Sequence, residues 1–466
     1  MALFPRSERF RPSSTLLLAL VLAGAAVLRL VGIRYGLPFG GLLNPDELNV
    51  VPRAWRMTHG GGPDPRWFEW PTLVMYVEAP FQAWQHAPAY LVARVVVVCL
   101  GLAGVAAACW TGRLAYGVPA GLLAAAATAV ETTHVAYSRA AVTDVPMTLG
   151  VTAAIALALA GRLEWAGAAA GLAAAAKYPG AFALVPLVVL AWGRWRRLAL
   201  SLGAAAVAFF AASPFVLLDA GHAWRDLRRV EGYHTTGWLG FEHDPPGPLA
   251  VFDRLWHGYG PFLAFALAGL AVALRRRTRT DLALAAFVVA YFVFVSALHS
   301  HFDRYTLPLV PVLAVLAARA RPLLPLALVS LAVPLWWSAS QAHALTRTDT
   351  RVVAQRWIEA HLPRGAAVAA ESSTPPLPGF RVTPLELPGR GRPHDPNRSL
   401  AHLRATGIRW VLVTGAVADR VLRARSDYPY ESRFYDDLAA KARLVYRLDP
   451  GRGRSGPWVR VYHVQP

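Results

Sequence analysis

The chain has 466 residues, 55% of them hydrophobic and only 16% charged. Soluble domains are about a quarter charged, so these long apolar runs describe a polytopic membrane protein rather than a soluble globule. The net charge of +19 is nearly all arginine, since Lys177 and Lys441 are the only lysines, and the arginines cluster between apolar spans. That is the pattern of cytoplasmic membrane-protein loops, and it argues against a nucleic-acid partner. Cys99 and Cys109 share one apolar segment, are badly placed to reach each other, and leave the redox compartment open.

In chain order, a positive N-terminus with Arg6, Arg9 and Arg11 precedes a first span at 14–33. No small-residue cleavage site follows, so this segment reads as a retained membrane helix. A polar stretch rich in Pro, Gly and Trp covers 35–84, and spans follow at 86–110, 115–131 and 145–161. The segment 165–192 is too long for one span and is interrupted by Lys177, Pro179 and Gly180. It reads as two short helices meeting at Lys177. Further spans fall at 198–218, 259–274, 282–298, 304–319 and 322–340.

The fold expected is a polytopic α-helical membrane protein of about 10–12 transmembrane or re-entrant helices, with a C-terminal soluble α/β domain. The division expected is 1–345 for the membrane domain, with 35–84 as its external loop, and 346–466 for the soluble domain. Threading the spans places Arg113, Arg162, "RWRR" (194–197), "RRRTR" (275–279), Arg319 and Arg321 on the side of the N-terminus. That side is read as cytoplasmic. The loops 35–84, 132–144, 220–258 and 299–303, the Lys177 turn and the C-terminal region then lie outside. In the tail, "TRVVAQRWIEAHL" and "AVADRVLRA" have helical spacing, while "AAVAA", "IRWVLVTG", "ARLVYRL" and "WVRVYHV" read as strands.

Charged residues gather on the external side of this topology. "GLLNPDELNVVPRAW" (41–55) places Asp46 beside Glu47, and the same loop carries Arg53, Arg56 and Glu69 with "WFEWPTLVMY". Asp46 after Pro45 also suits a helix N-cap. "ETTHVAYSRAAVTDVPMT" (131–148) brings His134, Tyr137, Arg139 and Asp144. "HSHFDRYTLP" (299–308) brings His299, His301, Asp303, Arg304 and Tyr305. Ionisable groups at membrane depth are costly and usually functional. For some of them a plainer role stands beside the functional one: Arg139 as a snorkelling arginine, Lys177 as a donor to a carbonyl at a helix break, and the histidines as a polar helix end. Two His and an Asp at such short spacing are weak evidence for a divalent ion, and the metal requirement is open. The loop "EGYHTTGWLGFEHDPPG" (231–247) has the aromatic, basic composition of an acceptor-facing lid, and "GRGRPHDPNRS" (389–399) reads as a flexible loop.

In their order, "LRLVGI…NPDE", "YSRAAVTDVPMT", "GLAAAAKYPG" and "FDRYTLPLVP" resemble the membrane-integral GT-C glycosyltransferases, and within them the protein-O-mannosyltransferase and aminoarabinose-transferase group (the dolichyl-phosphate-mannose-protein mannosyltransferase-like family). The resemblance covers residues 20–345. It implies transfer of a sugar from a polyprenyl-phosphate-linked donor to an acceptor hydroxyl, of a protein or a glycolipid, at the external membrane face. It implies Asp46 as the catalytic base and Asp144 as the second acidic position of the site. Glu47, Glu69, Arg53, His134, Tyr137, Arg139, Lys177, Arg304 and Tyr305 are then candidate substrate-binding residues, with Lys177 and Arg304 on the lipid phosphate. Family members often have Pro-Pro-Leu where this chain has Pro71-Thr72-Leu73, which weakens the match at Glu69.

The residues support that chemistry on their own terms. An acceptor hydroxyl must lose its proton as the sugar carbon leaves phosphate, and a nearby carboxylate can take it. The leaving phosphate gains negative charge that Lys and Arg can stabilise. Two other classes stay open: a transporter or flippase of lipid-linked sugars, and a non-catalytic envelope assembly scaffold. A transporter would favour two matching halves with broken helices, and the Lys177 break has no evident mate. The arginine bias and Ala/Gly richness suggest a GC-rich bacterial genome, hence a bacterial inner membrane and an undecaprenyl-type carrier.

Overall fold

A computed structural model describes residues 12–82 and 89–465. Arg6, Arg9 and Arg11, and the first residues of the span expected from 86, lie outside the described residues. The described residues divide into two compact units. One is drawn from Met1–Ile33, Asn49–Val230 and Pro246–Ala342, the other from Arg34–Leu48, Glu231–Pro245 and His343–Pro466.

The helices in chain order are α1 (Pro12–Leu30), α2 (Glu47–Thr58), α3 (Leu73–Gln82), α4 (Ala89–Tyr116), α5 (Val118–Val130), α6 (Thr132–Tyr137), α7 (Asp144–Leu159) and α8 (Leu163–Ala176). A 3₁₀ turn at Tyr178–Ala183 leads to α9 (Leu184–Ala191), α10 (Trp195–Ala212), α11 (Phe215–Leu218), α12 (Ala220–Thr236), α13 (Gly247–Tyr259), α14 (Phe262–Arg276), α15 (Arg279–Ser296), α16 (Leu309–Ala317), α17 (Leu324–Ser330) and α18 (Ala332–Ala344). Five of these helical stretches are long and apolar enough to cross a membrane: α1, α4, α10, α15, and α17 with α18. The pair α13 and α14, bent by 120°, is apolar enough to form a sixth if taken as one broken span. The bend falls at Gly260 and Pro261, and Gly260 has a φ of +57°. It is a second broken element beside the one at Lys177, and α13 is a helix where the sequence predicts the external loop 220–258.

The first unit is built around α16, whose nine residues from Leu309 to Ala317 are all buried. A helix apolar all round belongs at the centre of a bundle. Val151 and Ile155 of α7, Ala124 of α5, Phe262 of α14 and Phe287 of α15 belong to the same apolar cluster. Helices α8 and α10 approach through small residues. A Cβ on Gly167 would lie 2.0 Å from the Ser201 carbonyl oxygen, and one on Gly171 2.1 Å from that of Ala205. Close backbone approach through glycine is how membrane helices gain packing without a hydrophobic drive.

The second unit holds a five-stranded mixed sheet. Its strands are β2 (Ala367–Glu371), β3 (Arg381–Leu385), β4 (Trp410–Thr414), β5 (Arg443–Leu448) and β7 (Val459–His463), in the order β3-β2-β4-β7-β5. A separate parallel pair joins β1 (Thr348–Asp349) to β6 (Arg454–Ser455). Strand β4 is central and nearly all buried, which matches its unbroken apolar run. Helices α19 (Thr350–His361), α20 (Leu400–Ala405), α21 (Gly415–Arg423) and α22 (Pro429–Lys441) complete it. Asp349 caps α19 by accepting from the Arg351 N–H at 2.7 Å. Two earlier segments join this unit: the Leu42 carbonyl accepts from Arg351 at 2.6 Å, and Glu242 accepts from the Tyr428 hydroxyl at 2.7 Å.

Candidate active site

Pro179 ends α8, because a proline there removes a helical N–H and crowds the preceding turn. Lys177 is left extended, with φ −159° and ψ 134°, between α8 and the 3₁₀ turn. Its side chain runs to the start of α7, where Nζ meets Asp144 Oδ1 at 2.7 Å. Both residues are buried, Lys177 with 8% of its surface exposed and Asp144 with 1%. Asp144 stands in the first turn of α7, where a carboxylate is favoured by the helix dipole. Its second oxygen, Oδ2, is buried with no hydrogen-bond partner. Leaving a buried acceptor unsatisfied costs about 1–3 kcal/mol, so that oxygen is a standing invitation to a donor.

Aromatic rings surround the pair. Lys177 Nζ lies 5.5 Å from the Trp70 ring centre and 5.3 Å from that of Tyr305. The Arg304 guanidinium is 4.4 Å from the Phe302 ring and 5.7 Å from the Tyr305 ring. Asp303, the third member of the His299/His301/Asp303 group, accepts from the Tyr137 hydroxyl at 2.6 Å and from the Arg304 N–H at 2.9 Å. Among the described residues, no group of three or more His, Cys, Asp or Glu is placed to hold a metal ion.

The loop before α3 is pinned to the same end of the bundle. Phe68 N–H donates to Asp226 at 2.8 Å, and the Phe68 carbonyl accepts from the Tyr178 hydroxyl at 2.9 Å. Glu69 pairs with Arg229 at 3.5 Å, and Arg229 also meets Asp226 at 3.1 Å. Burial pushes the Glu69 carboxyl above its ordinary value, with Arg229 pulling the other way. Arg53 lies 4.3 Å from the Trp67 ring. Sequence reasoning did not single out Trp70, Tyr178, Asp226 or Arg229. Trp70 lay inside a quoted aromatic run, whereas Asp226 and Arg229 lay in a segment read as loop that is α12.

His134 and Arg139 stand elsewhere. Arg139 donates from Nε to the Leu28 carbonyl at 3.0 Å, and its Nη2 donates to the same oxygen. His134 Nδ1 lies 2.9 Å from Arg29, which also reaches the Ala25 and Ala129 carbonyls at 3.0 Å each. Arg139 and Arg29 thus serve terminal carbonyls of α1 and α5, at Leu28 and Ala129. Asp46 and Glu47 belong to the second unit, while Asp144 and Lys177 belong to the first. The Asn44 side chain accepts from the Asp46 N–H at 2.9 Å, and the Glu47 N–H reaches the Asn44 carbonyl at 3.2 Å. This turn starts α2, with Asp46 half-buried and Glu47 fully buried.

No protein-family model matches the chain, and no curated protein matches it. Solved structures do. ArnT from Cupriavidus metallidurans in the apo state superposes with a TM-score of 0.60 at 18% identity, covering 97% of this chain and 98% of that one. The same protein bound to undecaprenyl phosphate gives 0.56 at 17% identity, with the same coverage. The Archaeoglobus fulgidus oligosaccharyltransferase tethered to an acceptor peptide gives 0.61 at 12% identity, covering 98% of this chain and 74% of that one. The chain is thus a polytopic helical membrane protein with a C-terminal α/β region. Its fold is that of ArnT along nearly the whole length of both chains.

Proposed function

We propose that this protein is a membrane glycosyltransferase that moves a sugar from a polyprenyl phosphate to an acceptor hydroxyl, on the extracytoplasmic face of a bacterial inner membrane. The observation that carries the reading is the buried Asp144–Lys177 pair with its unpartnered carboxylate oxygen, ringed by Trp70 and Tyr305. A shared fold with a protein crystallised with undecaprenyl phosphate supports the donor class. The order of the four motifs supports the finer kinship with the protein-O-mannosyltransferase and aminoarabinose-transferase group.

In this reading the donor phosphate takes Lys177 from Asp144, with Arg304 as second cation. The move takes the cation from the buried Asp144 carboxylate, so a hydroxyl donor has to replace it, because an uncompensated buried ion is strongly destabilising. The acceptor hydroxyl gives its proton to Asp46 as its oxygen bonds the sugar carbon. The carbon–oxygen bond to phosphate breaks, and the polyprenyl phosphate leaves with the electron pair on those cations. Asp144, freed of Lys177, accepts from a hydroxyl of donor or acceptor. Glu69, Arg53 and Tyr137 shape the surrounding wall, and the arginine-rich turns face the cytoplasm.

The test offers purified protein in lipid a panel of labelled polyprenyl-phosphate sugars with an envelope acceptor extract. The expected result is consumption of one donor, with Lys177→Met raising the donor KM at least tenfold, about 1.4 kcal/mol. Wild-type protein that binds no polyprenyl phosphate would overturn the reading and favour the scaffold.

A further inference from the structure

The second unit carries a cavity that the transfer reading does not use. It measures about 250 Å³ and is lined by Arg390, Arg392, His394, Asp427, Tyr428 and Glu431, among others. The loop read from sequence as flexible forms much of its wall, and buried polar bonds hold that loop. Asp395 accepts from the Glu386 N–H at 2.8 Å and from the Asn397 N–H at 2.9 Å. Buried Arg398 donates to the Glu386 carbonyl at 3.2 and 3.1 Å and to the Tyr435 hydroxyl at 2.9 Å. The walls are therefore set before any ligand arrives.

The charges inside largely cancel. Arg390 pairs with Asp427 at 2.7 Å, and His394 Nδ1 lies 2.8 Å from Glu431 Oε1. Glu431 is only 4% exposed, and its other oxygen, Oε2, is buried with no hydrogen-bond partner. Arg392 lies 5.5 Å from the Tyr233 ring and 5.2 Å from the Trp238 ring. A cavity just below the usual 300–1,000 Å³ range of small-molecule pockets is the size for one small ring. One orphaned acceptor, one guanidinium and paired charges suit a ligand with many hydroxyls and no charge of its own. Anions meet Glu431, and cations meet Arg392.

We infer that this cavity is a subsite for a single neutral sugar ring, one of whose hydroxyls donates to the Glu431 carboxylate while another accepts from Arg392. On the transfer reading it holds a sugar already present on the acceptor. That role rests on the transfer reading, whereas the binding itself does not.

The experiment is saturation-transfer NMR on the full-length protein in nanodiscs, with a panel of methyl hexosides and methyl glucoside 6-phosphate as the anionic probe. At least one neutral hexoside should bind saturably with a Kd in the millimolar range. Glu431→Gln should weaken it about tenfold. Arg392→Ala, an exposed change that spares the fold, should weaken it severalfold. The inference is overturned if no hexoside saturates, if both variants bind as wild type does, or if the phosphate probe binds more tightly than its neutral parent. Donor consumption is read on the same samples. Sugar binding lost with donor consumption kept locates the failure in the cavity, whereas sugar binding kept with no donor consumption in wild type sinks the transfer reading alone.

Discussion

Lys177 is one of two lysines in a chain of arginines, and on the proposed transfer its chemistry accounts for the exception. An ammonium is a compact point charge that can leave a carboxylate for a phosphate, whereas a guanidinium holds its partner through a fixed fork. Removing either member of the pair strands a buried charge, at a cost of about 3–5 kcal/mol. Asp144→Asn and Lys177→Met should therefore each lower thermal stability, and the double variant should recover much of the loss while staying inactive. Melting curves with donor turnover check this, and a double variant as active as wild type would make the pair purely structural. Arg139 divides the other way. Its bonds to the Leu28 carbonyl predict that Arg139→Met lowers stability and leaves the donor KM unchanged; a raised KM at unchanged stability would place it on the substrate instead.

At the scale of elements, the break at Lys177 was legible because Lys, Pro and Gly interrupt an alanine-rich run, and few sequences do that at membrane depth without a reason. The mate of Lys177 was not legible as such. Asp144 was singled out, but its pairing spans thirty-three positions and depends on how α7 meets α8. Helix α8 is in turn held against α10 through small residues. Gly171→Leu would drive a side chain into the Ala205 carbonyl, shift α8 against α10 and displace Lys177. We expect a loss of about 1–3 kcal/mol in stability together with reduced turnover, read by melting and donor assays. Helices α12 and α13 were hidden because both are amphipathic or short, and hydropathy finds only long apolar runs. Strand β3 was hidden by Pro384, which an edge strand tolerates because its N–H side need not pair.

Over the whole molecule, long apolar runs marked out the membrane bundle, and short apolar or alternating runs marked out four of the five strands of the main sheet. The grouping of segments 34–48 and 231–245 with the tail was beyond reach, since it depends on bonds such as Arg351 to Leu42 and Tyr428 to Glu242. The sheet unit also has its own titration. Glu371 is fully buried, and burial holds its carboxyl above the ordinary value, with Arg398, Tyr435 and Thr414 opposing. A raised folded-state pKa favours the protonated form. The stability this group contributes is therefore full below the ordinary glutamate range and falls as pH rises through the raised value. Glu371→Gln should flatten that part of the stability–pH profile, as followed by thermal melting across acidic to neutral pH; an unchanged slope would assign it to other groups.

The most direct measurement is the turnover of the accepted polyprenyl-phosphate sugar by folded Asp46→Asn protein against wild type, at saturating donor. Loss of a positioned base predicts kcat down by about 10²–10⁴ with donor KM little changed. Equal kcat would contradict the account, because the proton of the acceptor hydroxyl would then leave by another route and Asp46 would be no more than the residue that precedes α2.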